Sequence, residues 1–253
     1  MRLLFYKVIL KILRMLGLGN TLLKVSIPSG YLKGYNFFIS PKTAHYLNGA
    51  YEIDTLNFVL ENTKDDSVMY DLGANFGYFS LIMATHTKNN VYAFEAIPKY
   101  VDVIKSNIAI NNVKNINVFS LAVSKGEGTI EFSNLEGESG NTYVQDTPNY
   151  ESKRLKKIIV KTNSIDNMVE SGLIKPPNLM KIDIEGAEYD ALLGSEKTIT
   201  KYKPFIILAT HDYHLKGVKD NCLNFLKEKG YRILDGDKKT DDLIADFLAV
   251  PLI

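Results

Sequence analysis

Residues 68–84 read VMYDLGANFGYFSLIMA, an acid, two glycines and an asparagine set between two apolar runs. Val68, Met69, Tyr70 and Leu72 favour a strand, and a run apolar on both faces marks one buried inside a parallel sheet. From Phe76 to about His86 the period changes, and Phe79, Ile82, Met83 and His86 fall on one helical stripe. Gly73 and Gly77 let the backbone turn sharply and leave room for a ligand to approach it. A strand, a glycine turn and a helix in succession are where open α/β sheets bind ligands.

Outward from this unit the chain alternates. Upstream, TLLKVSIP (21–28) and YNFFIS (35–40) suggest a hairpin, and EIDTLNFVLEN (52–62) a helix. Downstream come a strand NVYAFEA (90–96), a helix from Pro98 to about Asn111 and a strand NINVFSLAV (115–123). Proline suits a first helical turn because its φ is already set and its N–H is not needed. The stretch 124–178 is longer than a crossover requires, and such connections tend to carry function. It holds a strand GTIEFS, a polar loop LEGESGNTYVQDTPNYE, a basic strand KRLKKIIVKT and a helix SIDNMVESG. After it follow a strand NLMKIDIE (178–185), a helix at 187–200, a strand PFIILAT (204–210), a helix at 218–229 and a closing pair, YRILDGD and ADFLAVP. Strand–helix alternation of this kind predicts a doubly wound, mostly parallel α/β sheet with an antiparallel last strand. The expected organisation is an N-terminal extension, 1–49, ahead of one domain, 50–253, in which 124–178 is an insertion on the substrate side.

Charge separates the same two parts. Residues 1–51 contain seven Lys or Arg and no acid, whereas the rest holds 23 bases against 29 acids. Within MRLLFYKVILKILRMLGLGN, Lys7, Lys11 and Arg14 share one helical face opposite Leu4, Val8, Ile12 and Leu16, and Gly17 and Gly19 end the helix. Two readings stay open: residues 1–19 lie on an anionic membrane surface, or the helix packs on its own domain with its lysines solvated. The cations keep the apolar pieces too short for a signal-peptide core or a membrane span. A single Cys222 offers no disulfide framework and suits a reducing cytoplasm, with peripheral membrane attachment as the one qualification.

The ligand of the glycine turn follows partly by elimination. A dinucleotide fingerprint needs G-x-G-x-x-G, and here Asn75 stands where the middle glycine should admit a pyrophosphate. No Gly-Lys-Ser/Thr follows, so a Walker loop is also absent. Asp71 at the strand end could meet an ammonium, and the N–H groups of the turn could hold a carboxylate. Glu95, ending the adjacent strand, is placed to accept both hydroxyls of a ribose. An amino acid joined to a nucleoside is S-adenosylmethionine.

Several motifs in order now resemble the FkbM-type methyltransferases: YDLGANFGYFSLIMA, VYAFEAIPKYVDVIKSNIAINN, VFSLAVSKGEGTIEF, SGNT, LMKIDIEGAEYDALLGSEKTI and KPFIILATH. The likeness runs from Ala50 to Pro251. It implies a class I, Rossmann-like fold that uses S-adenosylmethionine to methylate a hydroxyl of a sugar, glycan or related small molecule. It places the cofactor on Asp71, Gly73, Asn75, Gly77 and Glu95, with Ala122 and Val123 near the adenine. By its own position at a strand end flanking the cofactor cleft, Asp183 is expected to contact the acceptor hydroxyl or the methyl-transfer zone. Where the family pattern carries an acid two residues before the histidine of the fifth parallel strand, this chain has Ala209.

The residues themselves add a charged strand. In MKIDIEG, Lys181, Asp183 and Glu185 alternate with apolar neighbours, so an extended chain puts all three on one face. Such a face is costly inside a sheet unless it is paired, hydrated or functional. THDYH follows the next strand with His211, Asp212 and His214. Asp183, Glu185 and His211 are therefore the catalytic candidates, with His211 the base that takes a hydroxyl proton and a limb expected near the ordinary imidazole pKa, about 6.5. The same three have the donor types for a divalent metal, which their spacing does not favour. His45 and His86 read as surface or helix-packing residues. Two other classes remain: a nucleic-acid methyltransferase using the basic segments, disfavoured because no base-flipping motif accompanies them, and a non-enzymatic module on the same fold.

Overall fold

The computed structural model describes residues 2–48, 51–134, 142–143, 156–212, 216–237 and 244–252. The chain opens on α1 (Arg2–Met15). Gly17 closes it at φ +74° while the Leu18 N–H reaches back to the Leu13 carbonyl, the left-handed stop that glycine adopts most cheaply. β1 (Leu23–Ser26) and β2 (Asn36–Ile39) pair antiparallel as the expected hairpin. A 3-10 turn covers Ala44–Asn48, and α2 (Ile53–Asn62) leads into the main sheet.

That sheet begins with β3 (Met69–Leu72), α3 (Tyr78–His86), β4 (Val91–Glu95), α4 (Pro98–Ile110) and β5 (Ile116–Ser120). β6 (Ala122–Val123) follows at once, and the insertion supplies β7 (Gly128–Asn134), β8 (Thr142–Tyr143), β9 (Lys156–Asn163) and α5 (Ile165–Glu170). The main sheet resumes with β10 (Leu179–Ile182), α6 (Glu188–Leu193), α7 (Glu196–Tyr202) and β11 (Phe205–His211). It ends with α8 (Val218–Glu228), β12 (Tyr231–Asp235) and β13 (Ile244–Pro251). The seven strands run in the order β12-β13-β11-β10-β3-β4-β5. β13 lies antiparallel to both of its neighbours, and β11, β10, β3, β4 and β5 are parallel. This is the mostly parallel Rossmann-like sheet that the alternation predicts. Register sets Lys181 of β10 directly beside Asp71 of β3.

Three boundaries move. The strand expected at 115–123 breaks at Leu121, because its last two residues leave the main sheet and pair with β9 in a second sheet ordered β6-β9-β7-β8. An unbroken apolar run carries no mark of a change of partner. The helix expected at 187–200 also breaks, between α6 and α7. A Cβ on Gly194 would stand 2.1 Å from the Ser124 carbonyl oxygen, and Asp166 of α5 caps the new helix by accepting the Lys197 and Thr198 N–H groups at 2.9 and 2.8 Å. β10 stops at Ile182, three residues early. Most of the polar loop, with Ser139, Gly140 and Asn141 of SGNT, lies outside the described residues.

The N-terminal elements build onto α3 and α4. Asn107 of α4 accepts the Phe38 N–H at 2.8 Å and donates to the Phe76 carbonyl at 2.9 Å, bridging hairpin and glycine turn. Asn111 clasps Asn36 through both its N–H and its carbonyl. Leu10, Val25, Phe37 and Ile39 share one buried cluster with Phe79, Ile82 and Val103, so the hairpin continues the core rather than standing beside it. Among the described residues no helix is long and apolar enough to cross a membrane.

Candidate active site

A cavity of about 330 Å³ opens at the carboxyl ends of β3, β4 and β10. One end is made by the glycine turn. Gly73, Asn75 and Gly77 take φ of +82°, +52° and +81°, which is where glycine is cheapest. The space beside the glycines, expected to receive a ligand, is filled by protein. A Cβ on Gly73 would lie 1.9 Å from the Asp183 carbonyl oxygen, and one on Gly77 would press on Ile104 at 3.2 Å. Gly73 and Asn75 line the cavity, but Gly77 is not part of its wall.

The N–H groups expected to hold a carboxylate are also committed. Those of Gly73 and Ala74 donate to the Phe94 carbonyl, that of Gly77 to Ala74, and that of Asn75 to Glu95. Buried N–H groups find partners within the fold when they can. The turn therefore serves Glu95: one carboxylate oxygen accepts the Asn75 N–H and the other the Ile97 N–H, both at 2.8 Å. Burial pushes Glu95 up to about 7, against the pull of those backbone bonds and with Asp71 adding to the rise. Each oxygen retains a lone pair for a further donor. Phe94, Leu121, Ala122 and Val123 give the neighbouring wall an apolar surface.

Asp71 lines the cavity too, almost fully buried, and accepts the Ser80 hydroxyl. Its expected ammonium neighbour proves internal: Lys181 stands beside it. Burial raises the Asp71 pKa, and Lys181 and Ser80 oppose the rise. Burial works equally against a charged Lys181, but Asp183, Glu52 and Asp71 outweigh it and hold the ammonium firmly protonated. Its Nζ sits 2.9 Å from Asp183 Oδ2 and 4.9 Å from the centre of the Phe79 ring.

The other end of the cavity is lined by Asp183 and Glu185, and buried side chains outside its wall, His211 and Glu188, converge behind them from separate elements. β10 ends at Ile182, the Asp183 N–H still bonds the Leu72 carbonyl, and Glu185 takes φ +55°, so strand alternation does not account for the direction of Glu185. It still reaches the same place. Asp183 Oδ1 and Glu185 Oε2 each lie 3.7 Å from His211 Nε2, at the end of β11. On the far side of the ring, Nδ1 meets Glu188 Oε1 at 2.8 Å, and the same oxygen accepts the Gly186 N–H. Burial disfavours the imidazolium, yet the Glu188 hydrogen bond and the charges of Asp183 and Glu185 carry His211 up to about 9. The ring is thus protonated at neutral pH, well away from the ordinary 6.5. Donor atoms of Asp183, Glu185 and His211 fall within 4.8 Å of one another, a set able to hold a divalent cation, although Lys181 already compensates Asp183.

Some candidates separate from this cluster. Asp212 accepts the Lys219 N–H at the start of α8, and His214 lies outside the described residues. His86 packs by hydrogen bonding with the Thr63 carbonyl, as expected. His45 does not behave as a mere surface residue: it lines the cavity, its ring 4.3 Å from that of Tyr46 and 4.4 Å from that of Tyr51. Tyr46 in turn stacks on Tyr78 at 4.6 Å. Sequence reasoning missed this aromatic wall, along with Glu52 and Glu188. Glu188 left one trace, its place three residues after Glu185 in the first turn of a helix. The aromatic wall left none, because its members follow no common period.

The sequence model of the FkbM methyltransferase domain matches residues 71–233. The hexuronic acid methyltransferase AglP of Haloferax volcanii is 29% identical over 160 residues, 63% of this chain and 62% of that protein. The 2-O-methyltransferase NoeI of Sinorhizobium fredii is 24% identical over 164 residues, 60% of this chain and 66% of the other. The chain thus spans about three fifths of the length of the Haloferax protein. Among solved structures, the FkbM methyltransferase of Methylobacillus flagellatus superposes with a TM-score of 0.53 at 17% identity, covering 74% of this chain and 44% of its own.

Proposed function

This chain belongs to the FkbM methyltransferase family, and from that premise we propose that it methylates a hydroxyl of a sugar or glycan, with S-adenosylmethionine as donor. The observation that carries the reading is one cavity lined both by a backbone-held carboxylate, Glu95, and by Asp183 and Glu185, with His211 buried directly behind those two carboxylates. The residues fit the donor: Glu95 keeps acceptor capacity for two ribose hydroxyls, and Phe94, Leu121 and Val123 offer an apolar slot for a purine. When bound, the donor supplies an electrophilic methyl on a sulfonium, so alignment and exclusion of water supply much of the rate.

At the acceptor end, Asp183 and Glu185 orient the hydroxyl and His211 Nε2 receives its proton. Glu188 on Nδ1 fixes the ring and stabilises the imidazolium that forms. Since that ring rests protonated at neutral pH, it must first release its own proton, and turnover rises with pH towards about 9. The flat rings of His45, Tyr46 and Tyr51 suit the C–H faces of a sugar, whose polar rim then meets the carboxylates. The Haloferax relative is named for a hexuronic acid and the Sinorhizobium relative for O-methylation, which favours this acceptor class over nucleic acid.

The test incubates the protein with S-adenosylmethionine and a panel of saccharides and follows the gain of one methyl by mass spectrometry. Calorimetry with S-adenosylhomocysteine runs alongside. No binding of the homocysteine product would end the proposal. Binding combined with methylation of nucleic acid alone would leave the donor and replace the acceptor.

A further inference from the structure

The helix α1 presents three faces. On a helix that turns about 100° per residue, Leu3, Tyr6 and Leu10 project to one side, where Leu10 is buried and the other two pack against the domain core. That docking face is not the apolar stripe seen in the sequence. Leu4, Val8, Ile12 and Leu16 point away from the domain, 69%, 49%, 49% and 67% exposed, and Phe5 and Met15 widen the stripe. Lys7, Lys11 and Arg14, all exposed, run along one edge of it, between the stripe and the docking face, rather than opposite the stripe as expected. Packing on the domain therefore accounts for one side of the helix and leaves the more apolar side in water.

This patch is not the ordinary scatter of surface leucines. Of the fifteen large apolar side chains exposed among the described residues, eight fall between Leu4 and Leu22, a concentration in one short stretch of chain that calls for an occupant. The charge names it. No acid occurs in the first 51 residues to oppose the cations. An apolar stripe flanked by Lys and Arg fits the boundary between acyl chains and anionic headgroups. At 14 residues the helix is too short to span a bilayer.

We infer that α1 lies in the plane of an anionic bilayer surface, seated through Leu4, Phe5, Val8, Ile12 and Met15 and held at its edge by Lys7, Lys11 and Arg14. The consequence reaches the site. Asn20 and Leu22, just beyond the helix stop, are exposed and line the cavity. The chain thus passes from the bilayer-facing helix to the cavity rim within a few residues, and an acceptor displayed at a membrane surface would meet the cavity near that rim.

The experiment is co-sedimentation of the full chain with vesicles of phosphatidylcholine, with and without a phosphatidylglycerol fraction. Anionic vesicles are expected to carry down at least ten-fold more protein than neutral ones, with binding lost as salt rises. The double variant Val8→Asp with Ile12→Asp should abolish sedimentation, and Lys7→Glu with Lys11→Glu should remove the preference for anionic lipid. All four side chains are exposed and outside the cavity, so S-adenosylhomocysteine affinity, measured on the same samples, should stay within two-fold and report an intact fold. Wild-type protein left in the supernatant at low salt would overturn the inference. So would a concentration-dependent dimer that the aspartate variant dissolves while vesicles capture nothing, since the stripe would then join two copies of this chain.

Discussion

The two ends of the cavity hold their carboxylates by different means. At Glu95 the backbone does the holding: two N–H groups from residues close to the end of β4 grip one side chain, and the left-handed turn exists to aim one of them. At His211 side chains hold one another, with Glu188 from α6 behind the ring and Asp183 and Glu185 in front of it. A backbone cradle constrains residue type at fixed spacing. A side-chain cluster constrains only where distant segments meet. The first should therefore fail locally and on binding, the second on chemistry.

The sharpest way to break that contrast is His211→Ala. Turnover is expected to fall by about 10²- to 10⁴-fold, the usual scale of a lost general base, while cofactor affinity measured by calorimetry holds. The pH–rate profile should lose a limb near 9, not near 6.5. If Asp183→Asn and His211→Ala both leave turnover intact, the acceptor is activated elsewhere and the division of labour is wrong.

Next in size is an effect of pH on stability. His211 has a folded pKa raised from 6.5 to about 9, so its stabilisation is complete below 6.5 and disappears as pH rises through 9. A shift of that size corresponds to about 3 kcal/mol. Glu95, raised to about 7, works in the same direction over a lower window: its contribution is complete below its ordinary carboxylate pKa and is lost as pH rises through 7. The melting temperature of the cofactor-free chain should fall between pH 6.5 and 9, and His211→Gln should flatten that fall. An unchanged slope in the variant would show that the cluster does not hold the charged ring.

Glu95→Ala should weaken S-adenosylhomocysteine by about 1.5–3 kcal/mol, the scale of a lost charged hydrogen-bonding group, with any residual turnover at saturating donor near normal. Ribose hydroxyls donate to the ionised carboxylate, so wild-type affinity should fall as pH drops below about 7, and the variant should lose that dependence. Equal loss of turnover and affinity would merge the two ends into one unit. The smallest expected effect is none at all: a chelator should leave activity unchanged, because Lys181 already compensates Asp183. Activity lost to a chelator and restored by Mg²⁺ would turn His211 from base into ligand.

These outcomes bear on what could be read from the chain directly. The parallel sheet, its closing antiparallel strand, the glycine turn and Glu95 were all legible, because each is written in local pattern: periods of two and 3.6, a positive-φ position, an acid at a strand end. Asp183 and His211 were legible as strand-end charges. Glu185 was expected for the wrong reason, since the strand stops before it, and the N–H groups offered to a ligand turn out to serve Glu95.

Sequence alone thus determined the α/β class, the position of the cleft and the carboxylate beside the glycine turn, because each is marked by residue type at a local spacing or at a strand end. Tertiary structure alone decided the rest. It set Glu188 behind His211, raised that histidine out of its ordinary range, and brought His45, Tyr46 and Tyr51 to the cavity. It also chose which side of α1 meets the domain. Each of these depends on which distant segments are buried against each other, and burial and long-range charge are properties of the packed molecule that no local spacing encodes.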